Sequence, residues 1–281
     1  MVHPENYSLS KTRDTLHFPP SSREFLEHYL PPTRNIPLSS NPTKPHITLT
    51  FAASLDSQLS LSPGLPTALS GPASKAMTHY LRSRHDAILV GVGTAIADDP
   101  SLNCRIEGVG GYGGEGLEGQ PRPVILDPNG RWAFSEEIKV FVLAREGRGR
   151  APYVVTGTAE LDEGRRRVLE GCGGKLITVG MGERGLEWGE VLRVLGREGI
   201  RSVMVEGGGK VINSLLKVGN QGLVDSVIVT IAPTWLGEGG VVVSPPRRFG
   251  EDGNAMSAVK LGEVKWQPFG EDVVMCGRIK L

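Results

Sequence analysis

Three glycines in a row, Gly207–Gly209, separate an apolar run (Val203-Met204-Val205) from a stretch in which Val211, Ile212, Leu215 and Leu216 recur at helical spacing. A strand that stops in glycines and restarts as an amphipathic helix is a joint of an α/β sheet, since the chain must turn sharply and lay an apolar stripe back on the strands. Glycine loses the most backbone freedom on folding, so three together are unfavourable unless something approaches the main chain closely. A phosphate or pyrophosphate over the N–H groups that open the helix is the natural occupant. The spacing is neither that of a P-loop nor G-x-G-x-x-G. Glu206, at the strand's carboxyl end, stands where ligands bind in open α/β sheets, or else caps the helix.

The same construction occurs at Ile88-Leu-Val-Gly91-Val-Gly93-Thr94. Strands are expected at 46–53, 87–92, 123–126, 140–143, 153–156, 175–179, 201–205, 224–231, 258–264 and 272–279. Helices are expected at 72–84, with Ser70 as cap and Pro72 in the first turn, and at 161–170, 186–198 and 209–218. Alternating strands and helices predict an α/β fold with a mixed, mostly parallel central sheet flanked by helices. The closing strands, with no helix between them, predict an antiparallel C-terminal edge.

Residues 1–44 are rich in Pro and Ser and read as an extension, draped on the domain or partly disordered, with a short helix near 21–29; residues 45–281 read as one catalytic domain. Gly108–Gln120 reads as a mobile glycine-rich loop, and 237–254 as a solvated one. The 31 basic and 31 acidic side chains balance, which argues against a nucleic-acid partner held by bulk charge. Cys104, Cys172 and Cys276 form no C-x-x-C pair, so neither a disulfide framework nor a zinc site is expected, and no other metal set is visible. No apolar run spans a membrane and the start resembles no secretory signal, so a cytoplasmic location is expected.

Thr94 and Asp98 lie one helical turn apart and could bond ribose or amide groups, although Gly-x-Gly after a strand also marks ordinary turns. Arg82 and Arg105 could converge on a phosphate, which guanidinium binds bidentately; each alone could be a surface charge. Ala52 and Ala53 leave room for a flat ring, with Asp56 as a polar anchor or a turn residue. The 165–167 arginine run reads as a solvated helix face. His79 and His85 lack metal-ligand partners and read as structural, and no His/Asp set supports Cys104 as a nucleophile.

In this order the segments T-L-T-F-A-A-S-L-D (48–56), T-H-Y-L-R-S-R-H-D-A-I-L-V-G-V-G-T-A-I-A-D-D-P-S-L-N-C-R (78–105), R-P-V-I-L-D (122–127), V-M-V-E-G-G-G-K-V-I-N-S (203–214) and L-V-D-S-V-I-V-T-I-A-P (223–233) resemble the riboflavin-pathway reductases that act on a ribosylaminopyrimidine phosphate. The resemblance covers about residues 46–235 and is to the fungal stand-alone form, since the H-x-E and P-C-x-x-C motifs of the bacterial deaminase domain are absent. It implies a dihydrofolate-reductase-like fold, a homodimer, NADPH as hydride donor and a phosphorylated pyrimidine substrate. It assigns Ala53, Thr94, Asp98, Val179, Gly180, Gly207, Gly208, Gly209, Lys210 and Val211 to the cofactor, and Arg82, Leu102, Arg105 and Glu206 to the substrate. Asp56 is followed by Ser57 rather than glycine, and Thr50 stands where bacterial members carry lysine, so no lysine role transfers. Hydride delivery to C1′ of the opened ribosylamine needs mainly alignment of donor and acceptor, with the proton from water, Asp56 or Glu206. A pterin or folate reductase on the same fold, or a non-catalytic nucleotide-binding protein, are the competing readings.

Overall fold

A computed structural model describes residues 15–32, 44–157, 161–182 and 185–281. The chain runs through β1 (His46–Ala53), α1 (Pro72–Ser83), β2 (Ala87–Gly91), α2 (Val92–Asp98), β3 (Arg122–Leu126), α3 (Lys139–Arg145), β4 (Tyr153–Thr156), α4 (Glu163–Gly171) and β5 (Lys175–Thr178). It continues with α5 (Trp188–Arg197), β6 (Ser202–Gly207), α6 (Gly209–Leu215), β7 (Ser226–Ile231), β8 (Lys260–Phe269) and β9 (Asp272–Lys280). One nine-stranded sheet takes the order β8-β9-β7-β1-β6-β2-β3-β4-β5. From β7 to β5 every pairing is parallel, and β9 runs antiparallel to both β7 and β8. The α/β class and the antiparallel C-terminal edge are as the sequence predicts.

Successive residues of a strand point to opposite faces, and the core divides accordingly. Leu49, Leu89, Val124, Val155, Val203 and Val205 pack with Val191, Leu192 and Leu195 of α5 and Ile212 and Leu215 of α6. On the other face Met204 and Ile228 meet Met77 and Leu81 of α1, while Ile88, Val90 and Ile125 meet Val140 and Phe141 of α3. Residues 15–32 join the α1 layer: Phe18, Leu26 and Tyr29 are buried, Phe18 stacks on Tyr80 with centroids 5.1 Å apart, and Leu16 N–H donates to the Arg105 carbonyl at 2.8 Å. The remainder of the 1–44 segment lies outside the described residues. Among the described residues no helix is long and apolar enough to cross a membrane, and no cluster of His, Cys, Asp and Glu could hold a metal.

Two expectations are corrected. Residues 140–143 are not a strand but the middle of α3, with Val140, Phe141 and Leu143 buried. A four-residue apolar run has no period long enough to separate strand from helix, and packing against Trp132 and Phe134 decides it. The 108–120 segment is not a loose loop. Gln120 is fully buried and bonds the Cys104 N–H, the Cys104 carbonyl and the Gly110 carbonyl, and Tyr112 is 2% exposed. Its glycines permit close backbone packing: a Cβ at Gly110 would stand 2.6 Å from the Gly116 carbonyl oxygen and the Glu118 nitrogen. Smaller differences concern ends. Gly71, not Ser70, caps α1, with its N–H held by Asp272 at 2.9 Å, and α6 stops at Leu215 rather than Val218.

Candidate active site

Parallel pairing of β2 with β6 sets the two glycine turns side by side at the carboxyl end of the sheet. The Gly208 N–H donates to Thr94 Oγ1 at 3.0 Å. Gly207 has φ +114°, a conformation closed to other residues at ordinary cost. A Cβ at Gly208 would lie 2.9 Å from Thr94 Oγ1, and one at Gly91 would lie 2.9 Å from Val211 Cγ2. The glycines therefore let two turns touch while leaving the N–H groups of Gly209 and Lys210 without partners inside α6.

Above these turns opens a cleft of about 1690 Å³. Thr94, Asp98, Gly208, Gly209, Lys210 and Val211 line one part of it, with Arg131 beside them. Burial raises the Asp98 carboxyl above the usual carboxylate range, against the pull of Lys139. Ala52, Phe51, Ser60, the 63–70 loop and Trp188 form further walls.

The α1 side is charged. Arg82 Nε and Nη2 each donate to a Glu206 oxygen at 2.7 Å, and Arg82 Nη1 donates to the Asn103 carbonyl at 3.0 Å. The two side chains are 13% and 17% exposed. Burial opposes the Arg82 charge, but the adjoining Glu206 carboxylate outweighs it and holds the guanidinium above its usual range. Arg82 and Glu206 thus reach the cleft as a neutralised pair rather than as two separate ligands.

Several expected site residues lie elsewhere. Leu102 is 1% exposed in the α3 core, and Val179 is 3% exposed under α5. Ala53, Gly180, Gly207 and Arg105 are not on the cleft wall, although Arg105 is tied to it by its backbone N–H, which donates to His79 Nδ1 at 3.1 Å. Asp56 also faces away: its carboxylate accepts from Ser54 Oγ and from the N–H groups of Leu236 and Gly237, at 3.2 and 2.8 Å for the latter two. Hydrogen bonding from Ser54 holds that carboxyl below its usual range. It is a clamp on the 236–237 turn, which is the turn-residue alternative.

Two residues that the sequence did not single out, Lys75 and Thr78, line the cleft with Arg82, as does His79, which the sequence reads as structural. The signal was available, because 75, 78, 79 and 82 repeat at i, i+3, i+4 and i+7 and so share one face of α1. His85, by contrast, is structural as expected. It is fully buried, with Nδ1 2.7 Å from the Leu81 carbonyl and Nε2 2.8 Å from Thr48 Oγ1. A carbonyl only accepts, so Nδ1 carries the ring hydrogen.

Residues 45–275 match the RibD C-terminal domain family. The chain belongs to this family. Among similar curated proteins, the 2,5-diamino-6-ribosylamino-4(3H)-pyrimidinone 5′-phosphate reductase of Debaryomyces hansenii is 38% identical over 265 residues, covering 92% of this chain and 97% of the relative. The Saccharomyces cerevisiae protein of the same name is 37% identical over 257 residues, covering 91% and 94%. A solved structure of the S. cerevisiae riboflavin biosynthesis reductase superposes with a TM-score of 0.70 at 34% identity, covering 92% of this chain and all of that one. RibD of Acinetobacter baumannii shares the fold, with a TM-score of 0.65 at 22% identity over 85% of this chain and 59% of its own. The RibD C-terminal domain here is a mostly parallel sheet with the dihydrofolate-reductase-like plan and its cleft at the carboxyl ends of the strands.

Proposed function

We propose that the protein reduces the ribose side chain of 2,5-diamino-6-(5-phosphoribosylamino)pyrimidin-4(3H)-one to the ribitylamino product, with NADPH as reductant. The observation that carries this reading is the single cleft in which the Thr94–Gly208 contact and the Arg82–Glu206 pair share one space. At about 1690 Å³ it exceeds the roughly 300–1,000 Å³ of a pocket for one drug-sized molecule, so there is room for a dinucleotide and a substrate together.

The residues present fit the dinucleotide. Thr94 and Asp98 supply polar side chains, Gly209 and Lys210 supply N–H groups, and the absence of any Cβ at Gly91 and Gly208 keeps the floor open. Arg131, exposed on the same wall, is the candidate partner of a 2′-phosphate, which would favour NADPH over NADH. When bound, NADPH supplies the hydride. The chain's own part is alignment and exclusion of water: Glu206 fixes Arg82, Arg82 fixes the Asn103 carbonyl, and Trp188 with Phe51 covers apolar surface. The hydrogen bonds that tie the Asp56 carboxylate to the 236–237 turn and both Glu206 oxygens to Arg82 support water, of the three sources considered, as the proton donor. A homodimer belongs to the same proposal, and sedimentation velocity tests it.

The deciding experiment follows loss of the nicotinamide absorbance band with purified protein, NADPH and the ribosylaminopyrimidine phosphate. Oxidation that requires the substrate, and that shifts toward NADH in Arg131→Gln, is expected. NADPH binding without oxidation would discard the substrate, and no NADPH binding would discard the reductase reading itself.

A further inference from the structure

Residues 15–32 lie outside the 45–275 segment that matches the family, yet they are built into the domain. Leu16 pairs with Ile106 in an isolated parallel bridge: its N–H donates to the Arg105 carbonyl at 2.8 Å, and its carbonyl accepts from the Glu107 N–H at 3.1 Å. The chain then crosses α1. Phe18, Leu26 and Tyr29 are buried in one cluster with Ala76, Met77, Tyr80 and Leu81. Phe18 stacks on both Tyr80 and Phe269, with centroids 5.1 and 5.9 Å away. Glu27 accepts from Tyr80 Oη and from Arg84 Nη1, each at 2.5 Å. Beyond α1 the Tyr29 hydroxyl donates to the Glu263 carbonyl on β8, and Arg278 Nη2 on β9 donates to the His28 carbonyl at 2.8 Å. The segment is thus a strap across α1, fastened to the sheet edge at one end and to residues 105–107 at the other.

Helix α1 has two working faces. Residues 76, 77, 80 and 81 share the strap's cluster, while 75, 78, 79 and 82 line the cleft. The segment that the strap holds is stitched to that second face. The Arg105 N–H donates to His79 Nδ1 at 3.1 Å, the Cys104 thiol donates to the His79 carbonyl at 3.1 Å, and Arg82 Nη1 donates to the Asn103 carbonyl at 3.0 Å. The His79 ring is also hydrogen-bonded to the Asn103 carbonyl. Arg82 in turn holds Glu206 by two bonds of 2.7 Å. Residues 103–107 belong to no helix and to no strand of the nine-stranded sheet, and the Arg105 carbonyl and Glu107 N–H find their backbone partner in Leu16. A continuous set of bonds therefore runs from the Leu16 backbone through Arg105 to His79, and through Asn103 to the Arg82–Glu206 pair. Contiguous networks of this kind carry coupling between distant groups, and a misplacement of about 1 Å at a site can cost about 10²-fold.

We propose that residues 15–32 are a positioning strap for the α1 side of the cleft, with Leu16 as the positioning residue: its bond to the Arg105 carbonyl sets residues 103–105, and these set His79 and Arg82. Among the described residues the strap contributes none to the cleft wall, so its effect passes through residues 103–107 and α1. The opposite part of the cleft, at Thr94, Asp98 and Gly208, is built by the turns after β2 and β6 and stands apart from this set of bonds. The proposal rests on the reductase reading for which ligand meets Arg82 and Glu206, but the strap's hold on Arg105 can be read without turnover.

The test uses the full chain and its Leu16→Pro, Leu16→Ile, Leu16→Gly and Phe25→Ala variants. Proline at 16 removes the N–H that the Arg105 carbonyl accepts, and isoleucine keeps it. Phe25→Ala loosens the strap at its other end, where the Phe25 and Phe269 centroids are 6.1 Å apart. In Leu16→Pro, KM for the ribosylaminopyrimidine phosphate is expected to rise about tenfold while KM for NADPH stays at the wild-type value, a size within reach of a coupled network. Leu16→Ile should restore the wild-type values. Leu16→Gly keeps the N–H but frees the backbone, so it should raise the same KM by less, and it serves if Leu16→Pro does not fold. Amide exchange at Arg105, whose N–H bonds His79 and not the strap, should quicken in Leu16→Pro and stay unchanged in Phe25→Ala. A strap that only stabilised the fold would raise both KM values or neither, and Phe25→Ala would then match Leu16→Pro. Either of those patterns overturns the proposal, as does unaltered exchange at Arg105 in Leu16→Pro. If the wild type never oxidises NADPH with the pyrimidine, the reductase reading fails; quickened Arg105 exchange in Leu16→Pro would still uphold the strap, and unaltered exchange would remove it as well.

Discussion

Replacing Glu206 by glutamine and Arg82 by methionine, singly and together, probes the pair at the centre of the cleft. Two N–H···O bonds of 2.7 Å join side chains that are 13% and 17% exposed, so both groups have given up most of their water. In Glu206→Gln one acceptor oxygen remains, but the guanidinium loses its counter-charge, so the loss is at least that of one charge-assisted hydrogen bond, about 1.5–3 kcal/mol. Arg82→Met removes both bonds and the one to the Asn103 carbonyl, and leaves the carboxylate without its counter-charge. Breaking a buried pair from one side in this way costs about 3–5 kcal/mol. The double variant strands no charge, so it should fall short of the sum of the singles by about 1.5–3 kcal/mol. Urea unfolding at pH 7 reads these quantities directly, as shifts of midpoint at constant slope. With total stabilities of about 5–15 kcal/mol, Arg82→Met is expected to unfold at a visibly lower midpoint than either Glu206→Gln or the double variant. Additivity of the two single losses to within about 0.5 kcal/mol would show that the guanidinium and carboxylate are independently solvated, and the reasoning about the neutralised pair would fail.

Asp56→Asn should lower kcat by less than about tenfold, since removal of a general acid costs about 10²–10⁴, and should speed amide exchange at Leu236 and Gly237; a loss of 10³ would restore Asp56 as proton donor. Gly208→Ala places a Cβ 2.9 Å from Thr94 Oγ1, so the two turns must part, and KM for the nicotinamide cofactor should rise by about tenfold, the equivalent of one lost hydrogen bond; an unchanged KM refutes the assignment of that contact to the cofactor. For His85, burial holds the imidazole down to about 4, below the 6.5 of an unfolded chain. The neutral form is the one that folds, so its contribution is fully present above pH 6.5 and is lost as pH falls from 6.5 to 4, by about 3 kcal/mol. Urea midpoints measured across that window should fall steeply in the wild type and less so in His85→Gln, and identical slopes would exclude His85 as the acid-sensitive group.

The α/β class, the antiparallel C-terminal edge and both glycine turns were legible in the sequence, because each rests on a local property: the period of apolar residues, or the backbone freedom of Gly91, Gly93 and Gly207–Gly209. The chain's resemblance to a reductase family was likewise carried by contiguous runs, above all 78–105. What the sequence could not decide was partnership between distant residues. Arg82 and Glu206 both read as substrate ligands, and only the parallel register of β2 against β6, with α1 packed across them, joins them to each other. Asp56 read as a catalytic anchor until the fold brought Leu236 and Gly237 within reach of its carboxylate. The 140–143 run was too short to show its period, and the 108–120 glycines signalled looseness where close packing around Gln120 and Tyr112 needs them. His79 shows the limit most plainly. Its place on α1 followed from spacing, but the bond its Nδ1 accepts from the Arg105 N–H depends on a backbone segment that chain folding alone carries to it.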